Sequence, residues 1–222
     1  MSSPSDTAVP RDLRFIVLEG VDGSGKSTQA QLLADWYRAQ GQAVLLTREP
    51  GGTPLGERLR AIILDAEIDC AARTELLLIL AARAQHVAEV ILPALQAGSI
   101  VISDRFSLSS LAYQGYGRGL PLDEIRAADA AATGGLQAEL TLLLDIPLET
   151  LLARVGERAD RFEGEGREFL QRVITGYRRL ASADPTVCRI DGTGSTESVQ
   201  QAIRQVIITT GTDIPDREGS TL

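Results

Sequence analysis

Apolar positions along the chain fall into short runs separated by glycine-bearing loops and amphipathic stretches. RFIVLE at 14–19 suits a buried strand, and AVLLT at 43–47, SIVIS at 99–103, TLLLD at 141–145 and TVCRI at 186–190 repeat that signature. Helical patterns lie between them. One follows the 20–27 loop and runs to about Gln40, where Gly41 is a stop signal; others cover 55–64, 72–97, 107–114, 122–132, 148–155, 168–182 and 196–208. The segment GYGRG at 115–119 reads as a helix break. Alternating strands and helices predict an α/β fold with a five-stranded parallel sheet and helices on both faces. Right-handed crossovers then gather the loops at 20–27, 48–54, 104–114 and 191–195 along one sheet edge. Residues 13–210 read as one domain, residues 1–12 as a disordered leader and 211–222 as a polar tail. The charged, glycine-rich stretch 156–167 suits a mobile loop.

Composition narrows the chemistry. A chain of 222 residues with 44% apolar and 23% charged residues is long enough to bury a substantial core, built mainly from Leu, Ile, Val and Ala because aromatics are only 4%. The net charge of -8 argues against general nucleic-acid binding, which needs dense positive charge, although a local site can still take a small anion. No apolar run approaches the roughly 18–20 residues of a membrane span, and the first ten residues lack the pattern of a secretory signal. Cys70 and Cys188 are far apart with no CxxC pairing, so the reducing cytoplasm is the expected compartment. His86 is the sole histidine, which removes most histidine-based metal and triad chemistry. The chain has no asparagine, which excludes the NKxD segment of a GTPase, and its single lysine is Lys26.

Lys26 lies in Gly20-Val21-Asp22-Gly23-Ser24-Gly25-Lys26-Ser27, which matches G-x-x-x-x-G-K-[ST] between a strand and a helix. Glycines there let backbone N–H groups converge on one anion, and the following helix N-terminus adds its positive end. Lys26 is expected to reach the β/γ-phosphates and Ser27 to hold magnesium. Arg48 and Arg105 follow strands two and three, and Arg83 lies on a helix able to face them. Guanidinium forks suit phosphate oxygens, so the reading is a kinase for a small anionic acceptor.

The segments FIVLEGVDGSGKST, TREPGGT, AARAQH, SDRFSLSSLAYQG, LLLDIP and ADRFE, in this order over about residues 13–208, resemble the thymidylate kinase family. The resemblance implies a P-loop nucleoside monophosphate kinase fold with a short lid at about 156–167. It also implies ATP as donor, Mg2+, dTMP as acceptor for dTTP synthesis, and a homodimer. Carried onto this chain, Gly20, Val21, Asp22, Gly23, Ser24, Gly25, Lys26, Ser27 and Thr28 bind ATP. Ser27, Asp22 and Asp104 are the expected metal ligands, while Arg48 and Arg105 hold the dTMP phosphate. Glu49-Pro50 is expected to be a cis peptide, Arg83 to read the pyrimidine edge, and Ser109, Ser110, Tyr113 and Gln114 to line the base and sugar site. Gly23 implies that the transition-state arginine comes from the lid, with Arg158 the first candidate and Arg161 the second. Asp160 and Glu163 match a lid pattern that faces the acceptor. Ile79 departs from the family, which usually has a phenylalanine stacking on thymine there.

Two other readings stay open on the sequence. One is a related kinase for another pyrimidine nucleotide or a deoxynucleoside, in which Glu19 or Asp104 would serve as base. The other is a nucleotide-binding switch without transfer activity. His86 reads as helix packing or surface.

Overall fold

The computed structural model describes residues 13–65, 67–155 and 166–212. Five parallel strands form one sheet in the order β2-β3-β1-β4-β5. They are β1 (Phe15–Glu19), β2 (Val44–Arg48), β3 (Ile100–Asp104), β4 (Leu140–Asp145) and β5 (Val187–Asp191), each within about one residue of the expected run. The described helices are α1 (Lys26–Ala39), α2 (Pro54–Ile63), α3 (Ala72–Gln96), α4 (an α-helical turn Ser107–Ser110 continued by π-helical Leu111–Gly117), α5 (Leu122–Thr133), α6 (Leu148–Val155), α7 (Gly166–Ala183) and α8 (Thr196–Thr212).

Every residue of β1 is buried, because both sheet faces are covered. Strand periodicity sends Ile16 and Leu18 to one face, with Leu33 and Tyr37 of α1 and Ile203 and Ile207 of α8. Phe15 and Val17 go to the other, against Val87 and Ile91 of α3. Farther along that second face, α7 supplies Phe169, Val173 and Tyr177, which cluster with Leu143 of β4. The connection after β1 leads toward β2, and that after β3 leads to β4 on the opposite side. Adjacent β1 and β3 therefore form a switch point, where the loops part and leave a crevice.

Three helices differ from expectation. GYGRG does end α4, but later than expected: the helix runs on through Gly115 and Tyr116 to Gly117, and the chain breaks at Arg118 and Gly119, where Gly119 adopts a φ of 82°. A Cβ on Gly117 would lie 2.6 Å from the Phe169 ring, so the missing side chain serves close packing on α7 rather than chain reversal. The 72–96 stretch forms one helix that is long and apolar enough by composition to cross a membrane, contrary to the sequence reading. It nevertheless carries Arg83, 1% exposed and paired with two carboxylates, and packs against α2 and α5 as a core helix does. Its turn Val87–Ile91, which ends two residues before Pro93, is π-helical, and Pro93 has no N–H to donate. At the other end of the chain, α8 continues to Thr212, so residues 211 and 212 are helix rather than tail.

Candidate active site

The loop from Gly20 to Gly25 leaves β1 at the crevice. Gly20 adopts a φ of 141°, and a Cβ there would meet the Leu144 carbonyl at 2.7 Å, so this turn tolerates no side chain. Gly25 sits at φ 100° as the N-cap of α1, which has neither a side-chain cap nor an acidic residue in its first turn. The N–H groups opening α1 thus lack a side-chain acceptor, and the helix end is positive. The Ser24 hydroxyl is also buried without a partner.

Lys26 opens α1 and is 5% exposed. Its Nζ donates to the Val21 carbonyl at 2.8 Å and lies 4.0 Å from Asp22 Oδ1. Burial and the nearby Arg105 cation push its pKa down to about 8, against the opposing pull of Asp22, Asp104 and Glu19. The Ser27 hydroxyl donates to Asp104 Oδ2. Thr28 lines the same cavity, as do Arg48, Arg60 and Arg105. The oxygen donors here are a hydroxyl and the carboxylates of Asp104 and Asp22. Hard oxygen ligands of this kind, few in number and beside a phosphate cradle, fit Mg2+, which takes its remaining ligands from phosphate and water.

The acceptor side centres on Arg105, directly after β3. Its backbone is left-handed, φ 77°, a rare state for a non-glycine residue that surrounding contacts must hold. Nη2 donates to Asp22 Oδ1 at 2.8 Å and Tyr113 Oη at 3.3 Å, and Nη1 to Ser109 Oγ at 2.9 Å and Tyr177 Oη at 3.1 Å. The guanidinium also stacks 5.1 Å from the centre of the Tyr113 ring. Burial pushes the Asp22 carboxyl up, but Arg105 and Lys26 outweigh this and hold it at about 2. Burial likewise raises the Tyr113 hydroxyl to about 12.

Next to Arg105 opens a cavity of about 280 Å³, lined by Ile79, Arg83, Ser109, Ser110, Tyr113 and Gln114, all of which the sequence had placed at the base and sugar. Arg83 is held on three sides. Nε donates to Glu49 Oε2 at 2.7 Å, Nη1 to Ser110 Oγ and Asp129 Oδ1, and Nη2 to the Phe106 carbonyl. Gln114 donates to Glu75 Oε1 at 2.7 Å. The Glu49–Pro50 bond is cis, as the resemblance implied, and both residues line this cavity.

Arg48 stands on the P-loop side of the junction between the two cavities. It is 56% exposed, lines the P-loop cavity rather than the base cavity, and donates to both carboxylate oxygens of Glu57. The reason is local: Glu57, one turn into α2, also accepts from the Gly52 amide and so sits over the 48–52 turn. Glu19 is not placed as a base. It is fully buried and accepts from the Phe106 and Ser109 amides, the Ser109 hydroxyl and the Tyr177 hydroxyl. His86 is buried at 0% exposure, which rules out the surface alternative for it. Arg158, Asp160, Arg161 and Glu163, with most of the lid, lie outside the described residues, as do the leader and residues 213–222.

Sequence reading missed Arg60, which donates to the Pro50 carbonyl at 2.9 Å and lines both cavities, and Tyr177, which joins Arg105 to Glu19. It also missed Glu75, Arg118 and Phe169 in the cavity wall. Arg60, Glu75, Phe169 and Tyr177 lie on helices and Arg118 in the turn after α4, and no local motif marks any of them.

The sequence model of the thymidylate kinase family matches residues 18–203. Among curated proteins, the chain is 51% identical over 181 residues to the thymidylate kinase of Desulfovibrio desulfuricans, covering 77% of this chain and 83% of that one. It is 47% identical over 197 residues to that of Neisseria gonorrhoeae, covering 87% and 96%. Among solved structures, thymidylate kinase from Ehrlichia chaffeensis superposes with a TM-score of 0.74 at 32% identity, covering 87% of this chain and 98% of that one. A family match spanning the strands, the phosphate loop and both cavity walls is sufficient for assignment: the chain belongs to the thymidylate kinase family.

Proposed function

We propose that the chain transfers the γ-phosphoryl group of ATP to dTMP, giving dTDP and ADP, and that the two cavities are the donor and acceptor sites. One observation carries this reading. The P-loop cavity and the base cavity share Asp22, Glu49, Arg60 and Arg105, so phosphates held in each would meet at the same charged junction.

The acceptor is already a phosphate oxygen, largely ionised near neutral pH, and needs no strong base. The chain's task is positioning and charge neutralisation. Lys26 and the amides of Gly23 to Ser27 hold the donor phosphates. Arg105, oriented by Ser109, Tyr113 and Tyr177, holds the acceptor phosphate, while Asp22 fixes its Nη2 edge. Arg48, hinged on Glu57, stands where it can swing onto a phosphate from the donor side. Ser27, Asp104 and Asp22 would hold Mg2+, which offsets phosphate charge when bound. Arg158, then Arg161, is assigned the transition-state charge, and lid closure the exclusion of water. An acceptor lacking a phosphate would need a base, and Glu19, sealed by four donated hydrogen bonds, does not stand free to act as one; Asp104 accepts from Ser27 and is assigned here to the metal.

We also take the protein to be a cytoplasmic homodimer, since the cytoplasm supplies ATP and keeps Cys70 and Cys188 reduced. Leu77 and Leu92 on α3 are 62% and 36% exposed, and Ala81 and Ala88 lie exposed between them at heptad spacing. A second copy would cover this stripe, and light scattering should find Leu77→Glu monomeric where the parent chain is dimeric. The function is tested by a turnover panel of dTMP, dUMP, dCMP and thymidine with ATP and Mg2+. Preferred turnover of dTMP is expected; preference for thymidine, or ATP binding without product, would overturn the reading.

A further inference from the structure

The sole histidine has an unexpected place. His86 follows Arg83 by one turn of α3 and is completely buried. Its Nδ1 lies 3.1 Å from Glu49 Oε1, and its Nε2 lies 2.7 Å from Thr47 Oγ1. A carboxylate only accepts, so Nδ1 carries the proton, and in the neutral ring Nε2 accepts from the Thr47 hydroxyl. The other oxygen of Glu49, Oε2, accepts from Arg83 Nε. Both oxygens of a buried carboxylate are thereby used, one on each of two residues from the same helix. The imidazole also supports the turn after Glu49: a Cβ on Gly52 would lie 2.6 Å from its Cδ2 and Nε2.

We propose that His86, through Glu49, sets the orientation of Arg83 and of the 49–52 turn, and is a positioning residue for the acceptor nucleotide. The inference rests on the function proposed above, since Glu49 and Arg83 line the base cavity. The other nitrogens of Arg83 are tethered to Ser110, Asp129 and the Phe106 carbonyl, so its remaining freedom is decided at Nε by Glu49. Without His86, Glu49 Oε1 has lost its donor inside the fold. A buried acceptor in that state is costly, and the carboxylate turns to find another partner, releasing its hold on Arg83. Arg83 and the Pro50 edge of the cavity then lose register with the base. Glu49 also lines the P-loop cavity, but Lys26 is held by the Val21 carbonyl and Asp22 rather than by this network, so the donor grip is disturbed less than the acceptor side.

The test has two arms. With one histidine in the chain, the imidazole 15N signals of the wild-type protein need no assignment. A proton on Nδ1 is expected, and an unprotonated Nδ1 overturns the proposal. In the second arm, His86→Asn keeps a donor near the Nδ1 position, whereas His86→Gln places its amide at the Nε2 end, toward Thr47. KM for dTMP should rise at least tenfold in His86→Gln and less than threefold in His86→Asn, with KM for ATP within twofold in both. Equal rises in the two variants, as simple loss of packing would give, refute the role, as does an unchanged KM for dTMP in His86→Gln. The 15N arm uses the wild-type chain, so it decides even if a variant misfolds. Wild-type turnover of dTMP is the control: if another acceptor is used instead, the functional reading fails, and the variants are judged with that acceptor.

Discussion

Lys26 links stability to function with opposite signs, and Lys26→Met separates them. The ammonium is 5% exposed, and its pKa falls to about 8 from an ordinary 10.5, through burial and then Arg105. At about 1.36 kcal/mol for each tenfold change in proton affinity, the charged side chain costs the fold about 3 kcal/mol at neutral pH. Methionine has similar length and no charge, so this cost disappears. The Val21 carbonyl loses its donor, which returns about 1 kcal/mol. The variant should therefore be more stable by about 2 kcal/mol, raising Tm by roughly 4–8 °C for a chain of this size. Thermal unfolding followed by circular dichroism at pH 7 without nucleotide measures this, alongside a turnover assay in which the variant should be inactive. The pH dependence gives a second check. Between about 8 and 10.5 the unfolded chain holds the proton that the folded chain has released, so wild-type stability rises with pH across that window. The gap to Lys26→Met should close there. A variant that melts below wild type at pH 7, with a gap that does not change toward pH 10, would refute the argument that burial penalises this lysine.

Other outcomes follow from the same contacts. Asp22 is held at about 2 mainly by Arg105, so wild-type stability from this pair is present above about pH 4 and lost as pH falls toward 2; acid titration of Arg105→Met should show its deficit shrinking across that range. Ile79→Phe adds an aromatic face to the base cavity and should tighten dTMP binding by about 0.5–1.5 kcal/mol in calorimetry, while unchanged or weaker binding counts against placing the base there. Gly117→Ala puts a methyl 2.6 Å from the Phe169 ring and 3.0 Å from Val173, and urea unfolding should register a loss of about 1–3 kcal/mol; an unchanged midpoint would refute close packing as the reason for glycine at 117.

The strands and the phosphate loop were legible along the chain because their causes are local. A five-residue apolar run buried on both faces is a strand wherever it docks, and glycines at 20, 23 and 25 with Lys26 and Ser27 define an anion cradle through backbone geometry and one helix end. The residues that would grip a second nucleotide were legible as types, and Arg83, Arg105, Ser109, Ser110, Tyr113 and Gln114 do converge. Their partners were not. Glu19, Arg105 and Tyr177 lie on β1, the edge of β3 and α7, and only the sheet order brings them within hydrogen-bonding distance. GYGRG reads as a break by composition and does hold one, at Arg118 and Gly119, but glycine's tolerance of turns and its tolerance of close packing are identical in sequence; Phe169, about fifty residues on, decides that Gly117 is there for packing. The same limit hid the role of His86. Burial removes water as an alternative partner, so its two ring nitrogens had to be satisfied by Glu49 and Thr47 once α3 packed against the end of β2, and no pattern of neighbouring residues encodes that choice.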